Sequence, residues 1–176
     1  AKSYIGLQDF LLALITMDGV IIFFIKYVVF IIVAIAAVYW LTLPKKQKIQ
    51  MLVFGITVAV VAFILTRIGS ALYYDARPFV DMGIEPLVPH DNNNGFPSDH
   101  SALAFAVAAA VFYMNKKIGA GVAALALLVG LSRVVGHIHS ITDILGSIIF
   151  VAIAYAISYY ITPKIVQMLS GHIAKE

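Results

Sequence analysis

Five stretches of this chain, residues 20–43, 49–69, 98–114, 118–136 and 141–162, are almost unbroken apolar runs. A bilayer core needs roughly 20 such residues per helix. Proline or lysine closes several of them: Pro44 with Lys45, Lys46 and Lys48, then Lys116-Lys117, then Pro163. One lysine, Lys26, interrupts the first run, and Arg67 lies near the end of the second. Hydrophobic residues make up 62% of the chain and charged residues 12%, against about a quarter charged in a soluble domain. The expectation is an all-α, polytopic transmembrane helix bundle with five clear spans, built as a single membrane-embedded domain over residues 1–176. Before Val20, Ile5, Leu7, Phe10, Leu11, Leu14 and Ile15 can share one helical face. That segment reads as an interfacial or half-inserted helix, with a short, tilted sixth span as the alternative. Nothing in the first residues reads as a charged n-region followed by a cleavage site.

The polar residues are as informative as the apolar ones. Cationic residues gather on cytoplasmic loops. The segments around Lys45–Lys48 and Lys116-Lys117, with Lys164 and Lys175 in the tail, hold seven lysines. Five spans place all of them on one side, the cytoplasmic one. The loop 75–97 and the turn at His139 then share the opposite, extracytoplasmic side. The net charge of +3 is topological. It forms no basic stripe on a polar surface, so nucleic acid is not an expected partner. The chain has no cysteine, which excludes disulfides, thiolate metal sites and a cysteine nucleophile.

Three clusters meet on the extracytoplasmic side: Arg77-Pro78, Pro97-Ser98-Asp99-His100, and Ser132-Arg133 with His139 and Asp143. Guanidinium groups such as Arg77 and Arg133 fit phosphate oxygens in a two-pronged way. Taken singly, each is equally well a snorkelling interfacial residue. Ser98 follows proline and opens an apolar run, as a helix N-cap does, and a helix N-terminus also favours an anion. His139 and Asp143 are four apart and share a helical face. A carboxylate on one ring nitrogen fixes the tautomer and leaves the other free to attack. His137 and His139 form a His-x-His pair, but with no clear third ligand no metal site is expected. His90 and His172 carry no assigned role.

Together these segments resemble the signature of the type 2 phosphatidic acid phosphatase superfamily: Lys-x6-Arg-Pro, Pro-Ser-x-His and Ser-Arg-x5-His-x3-Asp. The second reads Pro97-Ser98-Asp99-His100. The third runs from Ser132-Arg133 through His139 to Asp143, and both match at every defined position. The first departs, because Ser70 stands where the motif has lysine. Arg67, one turn away on the same helix, is the first candidate to replace that cation, and Lys26 the second. The Pro-Ser-Asp-His form and Arg77-Pro78-Phe79 are similar to bacterial undecaprenyl diphosphate phosphatases of the bacitracin-resistance type.

The resemblance implies a membrane lipid phosphatase of the bacterial cytoplasmic membrane. It would act on a polyprenyl diphosphate, without metal or other cofactor, and recycle the carrier lipid for wall synthesis. His139 is then the nucleophile, Asp143 its orienting carboxylate, and His100 the general acid and base. Arg77, Arg133 and Ser98 hold the phosphoryl oxygens. Phosphatidic acid, phosphatidylglycerol phosphate and a shorter prenyl diphosphate are the rival substrates. A lipid-binding or transport module is the non-enzymatic alternative, and a vanadate-dependent oxidase a more distant one. The oligomeric state is not legible.

Overall fold

The computed structural model describes residues 17–173, and every regular element among them is a helix. In chain order they are α1 (Met17–Lys26), α2 (Val28–Thr42), α3 (Lys45–Leu72), α4 (Pro78–Met82), α5 (Asp99–Met114), α6 (Lys116–Val135) and α7 (Ile141–Ile173). Helices α3, α6 and α7 are long and apolar enough to cross a membrane. The pair α1–α2 meets that test as one span bent by 50°, and α5 is a shorter apolar helix. The chain is a polytopic helical membrane protein. The expected segment before Val20 lies mostly outside the described residues.

Three boundaries differ from the sequence reading. The first run is not straight. It breaks at Tyr27, and the bend leans α1 onto α6, where the Ile25 side chain lies against Gly136. The lysines at 45, 46, 48, 116 and 117 are not in loops but in the first turns of α3 and α6. Pro44 occupies the cap position of α3, while Asn115 Oδ1 accepts from the N–H groups of Lys117 and Ile118 at 3.0 and 3.1 Å, so both helices can start early. Finally, α7 continues through Pro163 to Ile173, since a membrane helix packed against neighbours tolerates a missing N–H.

Helix α5 is the hub and touches α2, α3, α6 and α7. Its sequence explains why. Ala102, Ala104, Ala106, Ala108 and Ala110 are all buried, so small side chains cover most of its circumference. In lipid, helices associate through packing rather than hydrophobic drive, and small residues let backbones approach. At Gly119 a Cβ would sit 2.2 Å from the Phe112 Cα, so only glycine fits where α6 turns back on α5. Phe54 of α3 is fully buried and stacks on Tyr113 of α5 at 4.0 Å. Large apolar side chains such as Phe30, Leu41, Ile56 and Phe63 point outward, as lipid contact requires. This up-and-down order gathers the C-termini of α3 and α6 and the N-termini of α5 and α7 at one end, with loop 73–98 over them.

Candidate active site

That end is polar, with a buried inner wall and an exposed rim at Arg67, Asp99 and His100. Arg77, Ser98, Ser132, Arg133, His139, Asp143 and Ser147 are all buried there. A cavity of about 430 Å³ is lined by Arg67, Ser70, Arg77, His90, Asp99, His100, Arg133 and His139, among others. Of the sequence-predicted residues, the two histidines and three arginines therefore share one cavity wall. Asp143 sits behind His139. Ser98 is fully buried and does not line the cavity; its Oγ accepts from Ser101 N–H at 3.4 Å, so in this geometry it is a helix cap. Lys26 is exposed and outside the wall. Its neighbour Ile25 is the one that reaches the site, where its carbonyl accepts from Arg133 Nη1 at 3.4 Å.

The pairing of His139 with Asp143 follows from how α7 starts. Asp143 N–H donates to Ser140 Oγ (3.2 Å), and Ser140 N–H donates back to Asp143 Oδ2 (2.9 Å). This is the reciprocal bonding of a capping box. The same Oδ2 lies 3.0 Å from His139 Nδ1. A neutral ring donating there has a bare Nε2, which lies 3.4 Å from Arg77 Nη1. Burial pushes the His139 pKa below its ordinary value, against the opposing pull of Asp143. The ring is thus neutral at physiological pH, as a nucleophile or base requires.

Arg77 is held by acceptors rather than by a carboxylate. Its Nε and Nη2 donate to Asn93 Oδ1 at 3.0 and 2.8 Å, and Nη1 donates to the Ile138 carbonyl at 3.0 Å. Arg133 is 1% exposed, and its Nε has no partner among the described residues. A buried cation with spare donors is costly without an anion. The unpartnered Arg133 Nε and the Arg77 guanidinium beside a neutral imidazole make an anion-seeking cavity. Among the described residues no three His, Asp or Glu side chains are placed to hold a metal.

Sequence reasoning missed four contributors. His90 lines the cavity with its ring 6.3 Å from that of His139 and nearly perpendicular to it; burial, with Arg77 and Arg133 nearby, pushes its pKa down to about 4. Asn93 fixes Arg77. Asn94 ties the loop to α3: its Nδ2 donates to the carbonyls of Ser70 and Tyr73, both at 2.9 Å, and its Oδ1 accepts from Asp75 N–H. Asp75 Oδ2 accepts from Ser140 Oγ at 2.7 Å. The need for acceptors around a buried Arg77 was the available signal, and the asparagine tract was its answer. Gly95 is required beside them, because a Cβ there would lie 2.9 Å from Asp143 Oδ2.

Comparison with known proteins matches this arrangement to a family. The PAP2 superfamily matches residues 51–167, the stretch that holds every cavity-lining residue. The chain is 30% identical over 158 residues to the bacitracin transport permease protein BcrC of Bacillus licheniformis, covering 88% of this chain and 77% of that protein. It is 32% identical over 134 residues to the undecaprenyl-diphosphatase BcrC of Bacillus subtilis (strain 168), covering 76% and 68%. No solved structure matches. By the extent of these matches, the chain belongs to the PAP2 superfamily.

Proposed function

We infer that this protein is a lipid phosphatase that hydrolyses undecaprenyl or a related polyprenyl diphosphate through a phosphohistidine intermediate. The observation that carries the reading is His139, with Nδ1 held 3.0 Å from Asp143 and Nε2 beside Arg77, in one cavity with His100 and Arg133. The Nε2 lone pair attacks the terminal phosphorus. The bond to the bridging oxygen breaks, and that oxygen leaves with the prenyl monophosphate, taking a proton from His100. His100 then accepts a proton from water, which attacks phosphorus; the N–P bond breaks and orthophosphate departs. Arg77 and Arg133 neutralise the equatorial oxygens, the main demand of phosphoryl transfer. Asp143 stabilises the positive charge that grows on the His139 ring.

The extracytoplasmic placement of the site is part of the same reading. Lys45, Lys46, Lys48, Lys116 and Lys117 sit at the helix ends opposite the cavity, and the excess of cations marks the cytoplasmic side. A substrate whose phosphates lie among head groups and whose chain stays in lipid suits that position. The permease name of the Bacillus licheniformis relative favours a second reading, export without chemistry. It gives no reason for the His139–Asp143 pair.

The test is phosphate release in detergent with excess chelator, comparing prenyl diphosphates of several lengths with phosphatidic acid. Wild type is expected to release phosphate from the diphosphates. His139→Ala is expected to lose at least about 10³-fold in rate. A requirement for a divalent cation, or equal release by the variant, would overturn the mechanism. Faster turnover of phosphatidic acid would move the substrate to the glycerolipids.

A further inference from the structure

The catalytic cavity does not end at its polar wall. Arg67 and Asp99 line it, and the same two residues line a second cavity of about 560 Å³ that is otherwise largely apolar, with Ala59, Phe63, Thr66 and Leu103 in its wall. That cavity shares Ala59, Leu103 and Ala106 with a third, of about 450 Å³, which reaches Trp40 on α2. The three form one series: a cationic head cavity, a doorway formed by the Arg67–Asp99 ion pair, and an apolar groove along α3 and α5. The groove exists because α5 presents alanines to α3. The pair itself is half exposed, so its attraction alone is worth little and a stronger anion can take Arg67 from Asp99.

We propose that Arg67 is the residue that selects diphosphates, by binding the phosphate nearest the lipid chain at the doorway while the chain lies in the α3/α5 groove. This rests on the lipid-phosphatase reading above. With the terminal phosphorus at His139, a chain leaving the cavity for the groove must pass Arg67, so the second phosphate stops beside it. When the bridging P–O bond breaks, the electron pair stays on that oxygen and the leaving prenyl monophosphate gains charge next to Arg67. A lipid monophosphate places no phosphate there. The cation that Ser70 lacks in the first motif is thus supplied from the doorway side, where it acts on the leaving group rather than on the transferred one.

The full chain in detergent is assayed with farnesyl diphosphate and farnesyl monophosphate. Arg67→Gln should lower kcat/KM for the diphosphate by about tenfold or more while changing the monophosphate less than about threefold, with Arg67→Lys recovering part of the loss. If the monophosphate is not turned over, its inhibition constant against the diphosphate replaces kcat/KM. Equal losses on both, or no loss, would overturn the assignment. The groove is read separately from turnover. Trp40 is the only tryptophan, and in His139→Ala protein its emission should change with undecaprenyl diphosphate and not with inorganic diphosphate. A Trp40 response without wild-type turnover would overturn the phosphatase reading and keep the groove. Turnover without that response would overturn the groove alone.

Discussion

The two ends of the bundle are built from different materials. At the catalytic end, buried charge is held by a loop through hydrogen bonds: Asn93 on Arg77, Asn94 on the end of α3, Ser140 and Asp143 on each other. At the lysine end the charges are exposed, apart from a half-buried Lys48, and packing is aromatic. Phe54, Tyr113, Tyr155 and Tyr159 form one cluster, and Trp40 donates to the Lys48 carbonyl while the Lys48 ammonium lies over its ring. Aromatic residues and lysines of this kind anchor a helix end at a membrane interface. One end invests in preorganised polarity, the other in cohesion. Substitutions should therefore separate rate from stability according to the end they touch.

The largest separation is expected at Asp143. Asp143→Asn keeps an oxygen for Ser140 N–H and so preserves the start of α7. It removes the charge that stabilises a cationic His139 ring and scrambles which tautomer is held. The analogous change in a serine protease triad costs about 10⁴ in kcat, and a fall of about 10³ or more is expected here with KM little changed. Single-turnover phosphate release measures it directly. A loss confined to KM would mean that Asp143 shapes the cavity but does not support the reacting ring.

The opposite behaviour is expected at Phe54. It is fully buried and touches both Tyr113 and Tyr155. Phe54→Ala removes those contacts and leaves a cavity, costing roughly 3 kcal/mol, with the packing part dominant because lipid is as apolar as the core. Thermal denaturation in detergent should show the loss, while kcat/KM at low temperature stays within about threefold. A variant of normal stability and impaired turnover would erase the distinction between the two ends.

The spans and the pairing of His139 with Asp143 were legible because each depends on local pattern: length of an apolar run, or four residues on one helical face. The end of α5 was read at Met114 and its cap at Ser98, as found. What was not legible depends on contacts far apart in sequence. The bend at Tyr27 reflects the docking of α1 against Gly136, and no local signal near Tyr27 announces it. Ser98 looked like an anion-binding cap from sequence, yet its backbone bonds to Asp143 and Ser147 of α7 and its side chain caps its own helix, away from the cavity wall. Asn93 and Asn94 belong to no motif of local spacing; their role appears only once Arg77 and Ser70 are brought within reach. Arg67 was read as a substitute for a missing cation, and its pairing with Asp99 was hidden by a sequence separation of 32 residues.

The smallest effect, and the finest probe of the catalytic end, is the pH profile with and without His90. Its pKa near 4 keeps His90 neutral across the working range, so it adds shape but no charge. His139 also has a lowered pKa, so its neutral form, the one the proposed attack needs, persists below the ordinary histidine value near 6.5. Because the first step also needs His100 protonated, activity should survive into mildly acidic conditions, falling on the acid side as the pH drops through the lowered pKa of His139 and on the alkaline side as His100 loses its proton. In the free enzyme that acid limb appears in kcat/KM. His90→Gln should reduce kcat/KM by less than about tenfold and leave the limb in place, since a neutral group has been exchanged for a neutral group. A limb that moves in the variant would mean that His90 carries a proton in the working range and takes part in the transfer that the neighbouring His100 is expected to perform alone.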